Sequence, residues 1–190
     1  MAISAMMSVS VDGCFEAPGH DLGWQSIDEE LHQHFNDWLR DAGAFLDGRV
    51  TYELMASFWP TADTDPGAAK PVREFAGIWR DMPKVVYSRS LDRADWNTQV
   101  RREVDVDEVR NLAQQSRGDL VVGGGNLLAT FMRLDLLDEL RLYVHPVILG
   151  TGTPLFAAAQ APVPLRLIDT RRFDSGVVLL HYARRDSAAP

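Results

Sequence analysis

The sequence predicts one α/β domain in which a central, mixed but mostly parallel sheet is flanked by helices. Strand and helix patterns alternate along most of the 190 residues, which is typical of parallel sheets covered on both faces. Two late strand patterns flank the turn at residues 174–176 and predict an antiparallel pair beside the parallel strands. A triple glycine directly follows a buried strand pattern, and ligands bind at such strand ends.

In its first half the chain predicts strands at residues 3–11, 44–46 and 84–88, and helices at residues 28–42 and 51–58. The first helix is the clearest element, because Leu31, Phe35 and Leu39 recur at the spacing of one buried face. Two other segments are rich in Gly, Pro and Asp and predict loops, at residues 14–23 and 61–70. The stretch that follows the second loop, as far as Asp81, is compatible with a helix.

In its second half the chain predicts helices at residues 105–116 and 126–134, and strands at residues 119–122, 139–148, 165–168 and 177–183. The sequence contains no internal repeat and no low-complexity linker, so residues 1–186 are expected to form a single domain. Residues 187–190 are expected to be a frayed tail.

Composition narrows the classes of partner. A net charge of −8 argues against nucleic acid, because phosphate-backbone binding needs a basic surface. No apolar run approaches the ~20 residues needed to cross a bilayer, so no membrane partner is expected. Cys14 is the only cysteine, which fits a reducing cytoplasm. No metal site is expected either, because His32 and His34 project from different faces of their helix.

The triple glycine lies within residues 121–128, where an apolar strand pattern runs into a helix pattern. Glycines allow close approach of a ligand, and a helix N-terminus favours an anion such as phosphate. The segment lacks the third glycine of the dinucleotide fingerprint, because Leu128 occupies that position. An ordinary dinucleotide-binding fingerprint is therefore excluded.

Two further strand ends carry groups that bind anions. Gly48, Arg49 and Thr51 lie at a strand-to-helix junction, where arginine can fork onto phosphate oxygens. Ser88, Arg89 and Ser90 follow another strand. Either group alone is weak evidence for an anion site. Three strand ends with hydrogen-bond donors for anions, however, indicate a ligand with a pyrophosphate and one further phosphate.

These segments together resemble a known family. The residues that carry the likeness are 10–13, 48–53, 122–125 and 138–156, in that order along the chain. They resemble the dihydrofolate-reductase-like superfamily, within it the C-terminal reductase domain of the bifunctional riboflavin-biosynthesis deaminase/reductase (RibD). The resemblance implies a three-layer fold, an NADPH-dependent reductase and a homodimer. With one cysteine the chain cannot carry the zinc signature of the deaminase, so a stand-alone reductase-type domain is expected.

The resemblance also implies which residues hold NADPH. Arg49 and Thr51, after Gly48, would meet the cofactor phosphates. The adenosine ribose and its 2′-phosphate would lie by the next set, which is Ser88, Arg89 and Ser90. The pyrophosphate would be wrapped by Gly123, Gly124, Gly125, Asn126 and Leu127. The loop at residues 13–24 corresponds to a mobile loop over the nicotinamide, where excluding water favours hydride transfer.

On the substrate side the resemblance implies Asp12, Trp24 and Asp28, with Met7 and Ser8 on the first strand near the nicotinamide. Asp28 is the candidate acid for a small pterin-like or pyrimidine-type heterocycle. The acidic start of a helix is also what the helix dipole predicts, so a structural role for Asp28 stays open. The alternative function is a non-catalytic nucleotide- or pterin-binding protein that keeps the fold without turnover. Asp135 replaces a helix-ending glycine of the family and is expected to adopt the left-handed conformation.

Overall fold

The computed structural model describes residues 1–159 and 161–185, and the predicted tail at residues 187–190 lies outside the described residues. The strands are β1 (Ile3–Ser10), β2 (Cys14–Glu16), β3 (Ala44–Gly48), β4 (Lys84–Tyr87), β5 (Thr98–Arg101), β6 (Leu120–Gly123), β7 (Glu139–His145), β8 (Thr153–Pro154), β9 (Leu165–Arg172) and β10 (Val178–Arg184). The α-helices are α1 (Glu29–Leu39), α2 (Arg49–Phe58), α3 (Lys70–Asp81), α4 (Val106–Gln115) and α5 (Gly125–Arg133), and Trp59–Thr64 forms a 3-10 helix.

Within the described residues, eight strands form the central sheet in the order β5-β4-β3-β6-β1-β7-β10-β9. The pairs from β5 to β7 are parallel, whereas β10 runs antiparallel to both β7 and β9. The carboxyl ends of the six parallel strands therefore meet at one edge of the sheet. This topology confirms the predicted mixed, mostly parallel sheet with an antiparallel C-terminal pair.

Both faces of the sheet are covered, which gives the expected three layers. One apolar core contains Val109 of α4 and Phe131 of α5, packed on Leu46 and Val122 of the sheet. The core on the opposite face consists of side chains from α1, α2, α3 and the sheet: Leu31, Phe35, Tyr52, Phe75, Trp79, Phe45, Val121 and Tyr143. These two faces are called below the α4/α5 face and the α1/α3 face.

The helix boundaries follow local signals in the sequence. Asp28 and Asp105 are the N-caps of α1 and α4, and each side chain accepts a hydrogen bond from a backbone N–H of the first turn. Asp135 adopts φ 60°, which confirms the expected left-handed conformation after α5. None of the described helices combines the length and the apolar character that a membrane crossing requires.

Several elements differ from the sequence-based expectation. The predicted loop at residues 14–23 contains β2, which pairs with β8, and β5 was not predicted at all. These strands are two to four residues long, so their own residues carry little periodic signal. The predicted loop at residues 61–70 starts as a 3-10 helix. Strand β7 ends at His145 rather than at residue 148, since Pro146 has no N–H to continue the ladder.

Candidate active site

A cleft with a volume of about 600 Å³ opens at the carboxyl edge of the sheet, towards the α4/α5 face. It brings together residues from three separate strand ends and from the two helices that follow β3 and β6. The predicted cofactor residues that line it are Gly48, Arg49, Thr51, Ser88, Arg89, Gly124, Gly125, Asn126 and Leu127. Gly123 lies directly behind this lining, on β6, and Ser90 is an exposed residue of the neighbouring loop.

The triple glycine is shaped by close approach of neighbouring side chains. Gly124 has φ 89°, which disfavours any residue with a Cβ, and a Cβ there would collide with the Thr51 hydroxyl. A Cβ on Gly125 would lie 2.7 Å from the ring of Phe15. The backbone of this segment therefore lies open to the cleft on one side and in contact with other elements on the other.

Two helices begin at the cleft. Helix α2 starts after Gly48 and α5 starts after Gly124, and neither N-cap residue offers a side chain to the first backbone N–H groups. Such N–H groups carry partial positive charge and can bind an anion. Arg49, on the first turn of α2, is half-exposed and forms an ion pair of 2.7 Å with Glu53. The exposed guanidinium can exchange this partner for a ligand at small cost.

The loop after β4 is held in a fixed shape by Ser88 and by an arginine that was not predicted. The buried Ser88 hydroxyl accepts hydrogen bonds from the N–H groups of Ser90 (3.2 Å) and Leu91 (2.9 Å). Arg102 donates to the carbonyl oxygens of Ser88, Arg89 and Leu91 at 3.3, 3.2 and 2.9 Å. Arg102 thus fixes the backbone that carries Arg89.

Charge in the cleft is opposite in sign to that of the chain. Among the described residues that line it, four are arginines, namely Arg49, Arg89, Arg102 and Arg133, although the net charge of the chain is −8. Arg102 and Arg133 were missed by sequence reasoning. Arg102 follows the unpredicted strand β5, and a basic residue like Arg133 in a last helical turn is ordinary. Only the fold brings both into the cleft.

Asp12 lies outside this cleft and links two loops through hydrogen bonds. Its carboxylate accepts hydrogen bonds from the backbone N–H groups of Leu149 (3.1 Å) and Gly150 (2.8 Å). The Ser10 hydroxyl and these two N–H groups lower the pKa of Asp12 to about 2. The structure therefore gives Asp12 a positioning role, and contact with a substrate stays a prediction.

The other predicted substrate-side residues lie on the α1/α3 side of the same sheet edge. Trp24 stacks edge-on against His145 at the end of β7, with the ring centroids 5.4 Å apart. The Asp28 carboxylate accepts a hydrogen bond of 2.8 Å from the N–H of Leu31 as the cap of α1. Ser8 is half-buried on β1, beside the buried Met7. The structure shows a capping role for Asp28, and its catalytic role stays a prediction.

Two buried ionisable residues at this edge were missed by sequence reasoning. Asp47, at the end of β3, is 5% exposed, and burial raises its pKa to about 7. His145 is fully buried, and burial lowers its pKa to about 4. Its Nδ1 accepts the Ser26 N–H at 3.0 Å, and its Nε2 has no partner among the described residues. Each residue lies near the end of a strand whose pattern gives no other signal, so only its polarity at a buried position indicates a special role.

Comparison with known proteins identifies the family of this chain. The family model of the RibD C-terminal domain matches residues 2–179. The chain belongs to the RibD C-terminal domain family. It is 32% identical over 177 residues to the uncharacterized protein YyaP of Bacillus subtilis (strain 168), and the alignment covers 93% of this chain and 91% of YyaP.

Solved structures of low sequence identity show the same fold. A Shewanella sp. PV-4 protein named for riboflavin biosynthesis superposes with a TM-score of 0.75 at 20% identity, over 98% of this chain and 100% of that chain. Dihydrofolate reductase from Enterococcus faecalis, complexed with NADP(H) and RAB-propyl, superposes with a TM-score of 0.63 at 15% identity. That match covers 97% of each chain. This member of the RibD C-terminal domain family therefore has a dihydrofolate-reductase-like fold.

Proposed function

We propose that this protein is an NADPH-dependent reductase that transfers a hydride to a small pterin-like or pyrimidine-type heterocycle. The observation that carries the proposal is the single cleft in which three predicted anion-binding segments meet. They are the triple glycine, the start of α2 and the loop after β4. The Enterococcus faecalis dihydrofolate reductase with the same fold is complexed with NADP(H), which supports the choice of cofactor.

The residues present fit a dinucleotide. Gly123, Gly124 and Gly125 put backbone without side chains at the lining of the cleft or directly behind it, and the uncapped starts of α2 and α5 offer N–H groups to a pyrophosphate. Arg49 and Thr51 would bind phosphate oxygens beside these glycines and helix starts. When bound, NADPH would supply a hydride, and the protein would orient it and exclude water.

The 2′-phosphate that distinguishes NADPH from NADH would bind at the loop after β4. Ser88, Arg89 and Ser90 are the proposed contacts, and the hydrogen bonds of Arg102 keep that loop in place. Arg102 also neutralises Asp92 at 2.9 Å, which would otherwise repel a phosphate. Arginine suits this role because its planar fork binds phosphate oxygens in pairs.

The heterocycle would bind on the α1/α3 side of the sheet edge, near Ser8, Trp24 and Asp12. The loop at residues 13–24 contains Trp24 and would cover the reacting atoms. Asp28 is the acid proposed from the family resemblance. Its carboxylate would have to protonate the substrate while it caps α1.

The test is NADPH oxidation, followed by absorbance, with dihydrofolate and with 5-amino-6-(5-phosphoribosylamino)uracil. Arg49→Ala combined with Arg89→Ala should lower the NADPH-over-NADH affinity ratio by about tenfold or more, because the contact of Arg89 with the 2′-phosphate, which NADH lacks, should contribute about 1.5 kcal/mol or more. Arg110→Ala combined with Arg117→Ala changes the charge equally, away from the cleft, and is the matched control. An unchanged ratio in the first variant would contradict the assigned phosphate site.

A second function, non-catalytic binding of a nucleotide or pterin, is favoured by one observation. The Asp28 carboxylate is already used as a helix cap, so the acid expected from the family has a structural role. Tight NADPH binding without oxidation in the presence of either substrate would support this function instead.

We further propose a cytoplasmic homodimer that associates through β9. All eight residues of this strand are exposed, and its outer edge is unpaired among the described residues. Leu165, Leu167 and Ile168 are 37, 49 and 42% exposed, and a long apolar edge strand needs a covering partner. The buried Cys14 supports a reducing location. Leu167→Lys should convert a dimer to a monomer in light scattering, whereas a monomeric wild type would refute the homodimer.

A further inference from the structure

Asp47 occupies an unusual position beneath the triple glycine. It is the next-to-last residue of β3, and its register partner on β6 is Gly123. The carboxyl group turns towards this glycine, since a Cβ on Gly123 would collide with Asp47 Oδ1. Thr51, which lines the cofactor cleft, approaches the same glycine and would lie 3.5 Å from that Cβ. The carboxyl group is therefore next to the proposed cofactor site, with only a glycine and a threonine between them.

The Asp47 carboxyl has no hydrogen-bond partner among the residues that the structure describes. Lys84 of β4 is the charged side chain that influences its pKa, but the ammonium group donates to the carbonyl oxygens of Trp79 and Met82. Gly123 and Thr51, which face it from β6 and α2, are uncharged. The hydroxyl of Tyr52, also on α2, is engaged with the backbone of residue 95. A buried carboxyl without a partner is destabilising, and such groups are concentrated at functional sites.

Asp47 lies on the same side of the sheet as the proposed substrate residues. Strand alternation puts it on the face of Phe45, which belongs to the α1/α3 core. His145, against which Trp24 packs, lies on that face because Tyr143, two residues before it on the strand, belongs to the same core. Ser8 lies there because Met6, two residues before it, packs against the same core. Between β3 and β1, strand β6 presents Gly123, which has no side chain. The Asp47 carboxyl occupies the space above this glycine, so a flat heterocycle bound at this strand end would meet Asp47 directly.

We propose that Asp47 is the catalytic acid that protonates the heterocycle during reduction. This inference rests on the proposed reductase function and assigns the proton to a residue other than Asp28. Burial keeps Asp47 protonated close to neutral pH, which is the state that an acid needs. Asp28, in contrast, already uses its carboxyl group to accept a backbone hydrogen bond as the cap of α1.

The proton and electron balance is complete for reduction of a C=N bond. The carbon atom would receive the hydride that bound NADPH would supply, with NADP⁺ as the oxidised product. The π bond breaks, and its electron pair forms a new bond between the nitrogen and the proton of the Asp47 carboxyl. The Asp47 carboxylate then regains a proton from solvent, so no further oxidant or reductant is required.

Asp47→Asn tests the proposal, because asparagine keeps the shape of the protonated acid but cannot give up its proton in this way. We expect kcat with the substrate that the wild type reduces to fall by about 100-fold or more, with NADPH affinity and melting temperature not reduced. Wild-type kcat should decrease as pH rises through about 7, and the variant should lose this dependence. Asp107→Asn, at an exposed aspartate of α4, is the matched control and should behave as wild type. The proposal is overturned if Asp47→Asn keeps wild-type kcat, or if Asp28→Asn alone removes the pH dependence.

A second measurement does not depend on turnover. Infrared difference spectra of the protein on adding folate with NADP⁺ should show a shift in the C=O band of a protonated carboxyl, and Asp47→Asn should lack that band. If the wild type oxidises no NADPH but the band shifts, the reductase function fails while the contact of Asp47 with the heterocycle stands. If turnover occurs and the band is unchanged by ligand, Asp47 is not the acid.

Discussion

Asp47 also makes a quantitative prediction about stability. A carboxyl whose pKa is raised in the folded state binds a proton in the native protein over a pH range in which the unfolded chain has lost it. Stability from this group is therefore greatest below the unfolded-state pKa and declines as pH rises towards the folded-state pKa. The decline should occur between about 4 and about 7, because burial raises the Asp47 pKa from 3.8 to about 7. Asp47→Asn removes it.

The magnitude follows from the two pKa values. Each pH unit between them corresponds to about 1.4 kcal/mol, so the full interval corresponds to about 4 kcal/mol. The variant should therefore gain stability relative to wild type as pH rises, by up to this amount at neutral pH. Asparagine retains an unsatisfied buried amide, which costs about 1–3 kcal/mol at every pH. That cost lowers the unfolding free energy of the variant by the same amount at every pH. It therefore leaves unchanged the slope with which the difference between the two proteins varies with pH.

The assay is urea unfolding of the wild type and of Asp47→Asn at several pH values from 5 to 7.5. The difference in unfolding free energy between the two proteins is the informative quantity. His145, with its lowered pKa, makes stability rise with pH between about 4 and 6.5, but it does so in both proteins. A difference that stays constant across this range within about 0.5 kcal/mol would refute the assignment of a protonated buried carboxyl.

Further predictions concern the glycine segment and the helices. Gly124→Ala should weaken NADPH binding by tenfold or more in a fluorescence titration, because φ is 89° and the Cβ would collide with Thr51. Gly77→Ala, in α3 with open space around it, should instead stabilise the protein by about 1 kcal/mol in urea unfolding. Asp28→Ala should lower the unfolding free energy by about 1 kcal/mol through loss of the α1 cap, and Asp28→Ser should restore most of it. An equal loss in both Asp28 variants would contradict the capping role.

The cleft at the carboxyl edge of the sheet could be predicted from sequence because its signals are local. Each of its three segments combines a strand end with glycine, arginine or hydroxyl residues within a few positions, and parallel strands necessarily bring their carboxyl ends together. Gly48 and Gly124 could thus be assigned to one site before their distance was known. Arg102 could not, because it enters the cleft only through β5, a four-residue strand that is defined by its pairing with β4.

The proposed substrate side was harder to predict because its features depend on neighbours from distant parts of the chain. Asp28 has the sequence context of an acid and of a cap alike, and only the hydrogen bond to Leu31 shows that it caps α1. Asp47 stands next to Gly48 in the sequence, and the glycine and arginine that follow it are more conspicuous. The proposed role of Asp47 depends on its burial and on the approach of Gly123 from β6. Neither can be deduced from residues 44–48 alone.

The packing of the protein itself requires the triple glycine, whereas in many phosphate-binding motifs the glycines make room for the ligand. Each of its residues meets a different neighbour: Gly123 meets Asp47, Gly124 meets Thr51 and Gly125 meets Phe15. The packing of the protein alone thus excludes a Cβ at all three positions. The same three contacts join the carboxyl group on the α1/α3 side, the helix start at the cleft and the β2 segment of the predicted lid. A movement of the triple glycine on cofactor binding would therefore change the contacts of Asp47 directly. Such a movement would link cofactor binding to the proposed protonation step.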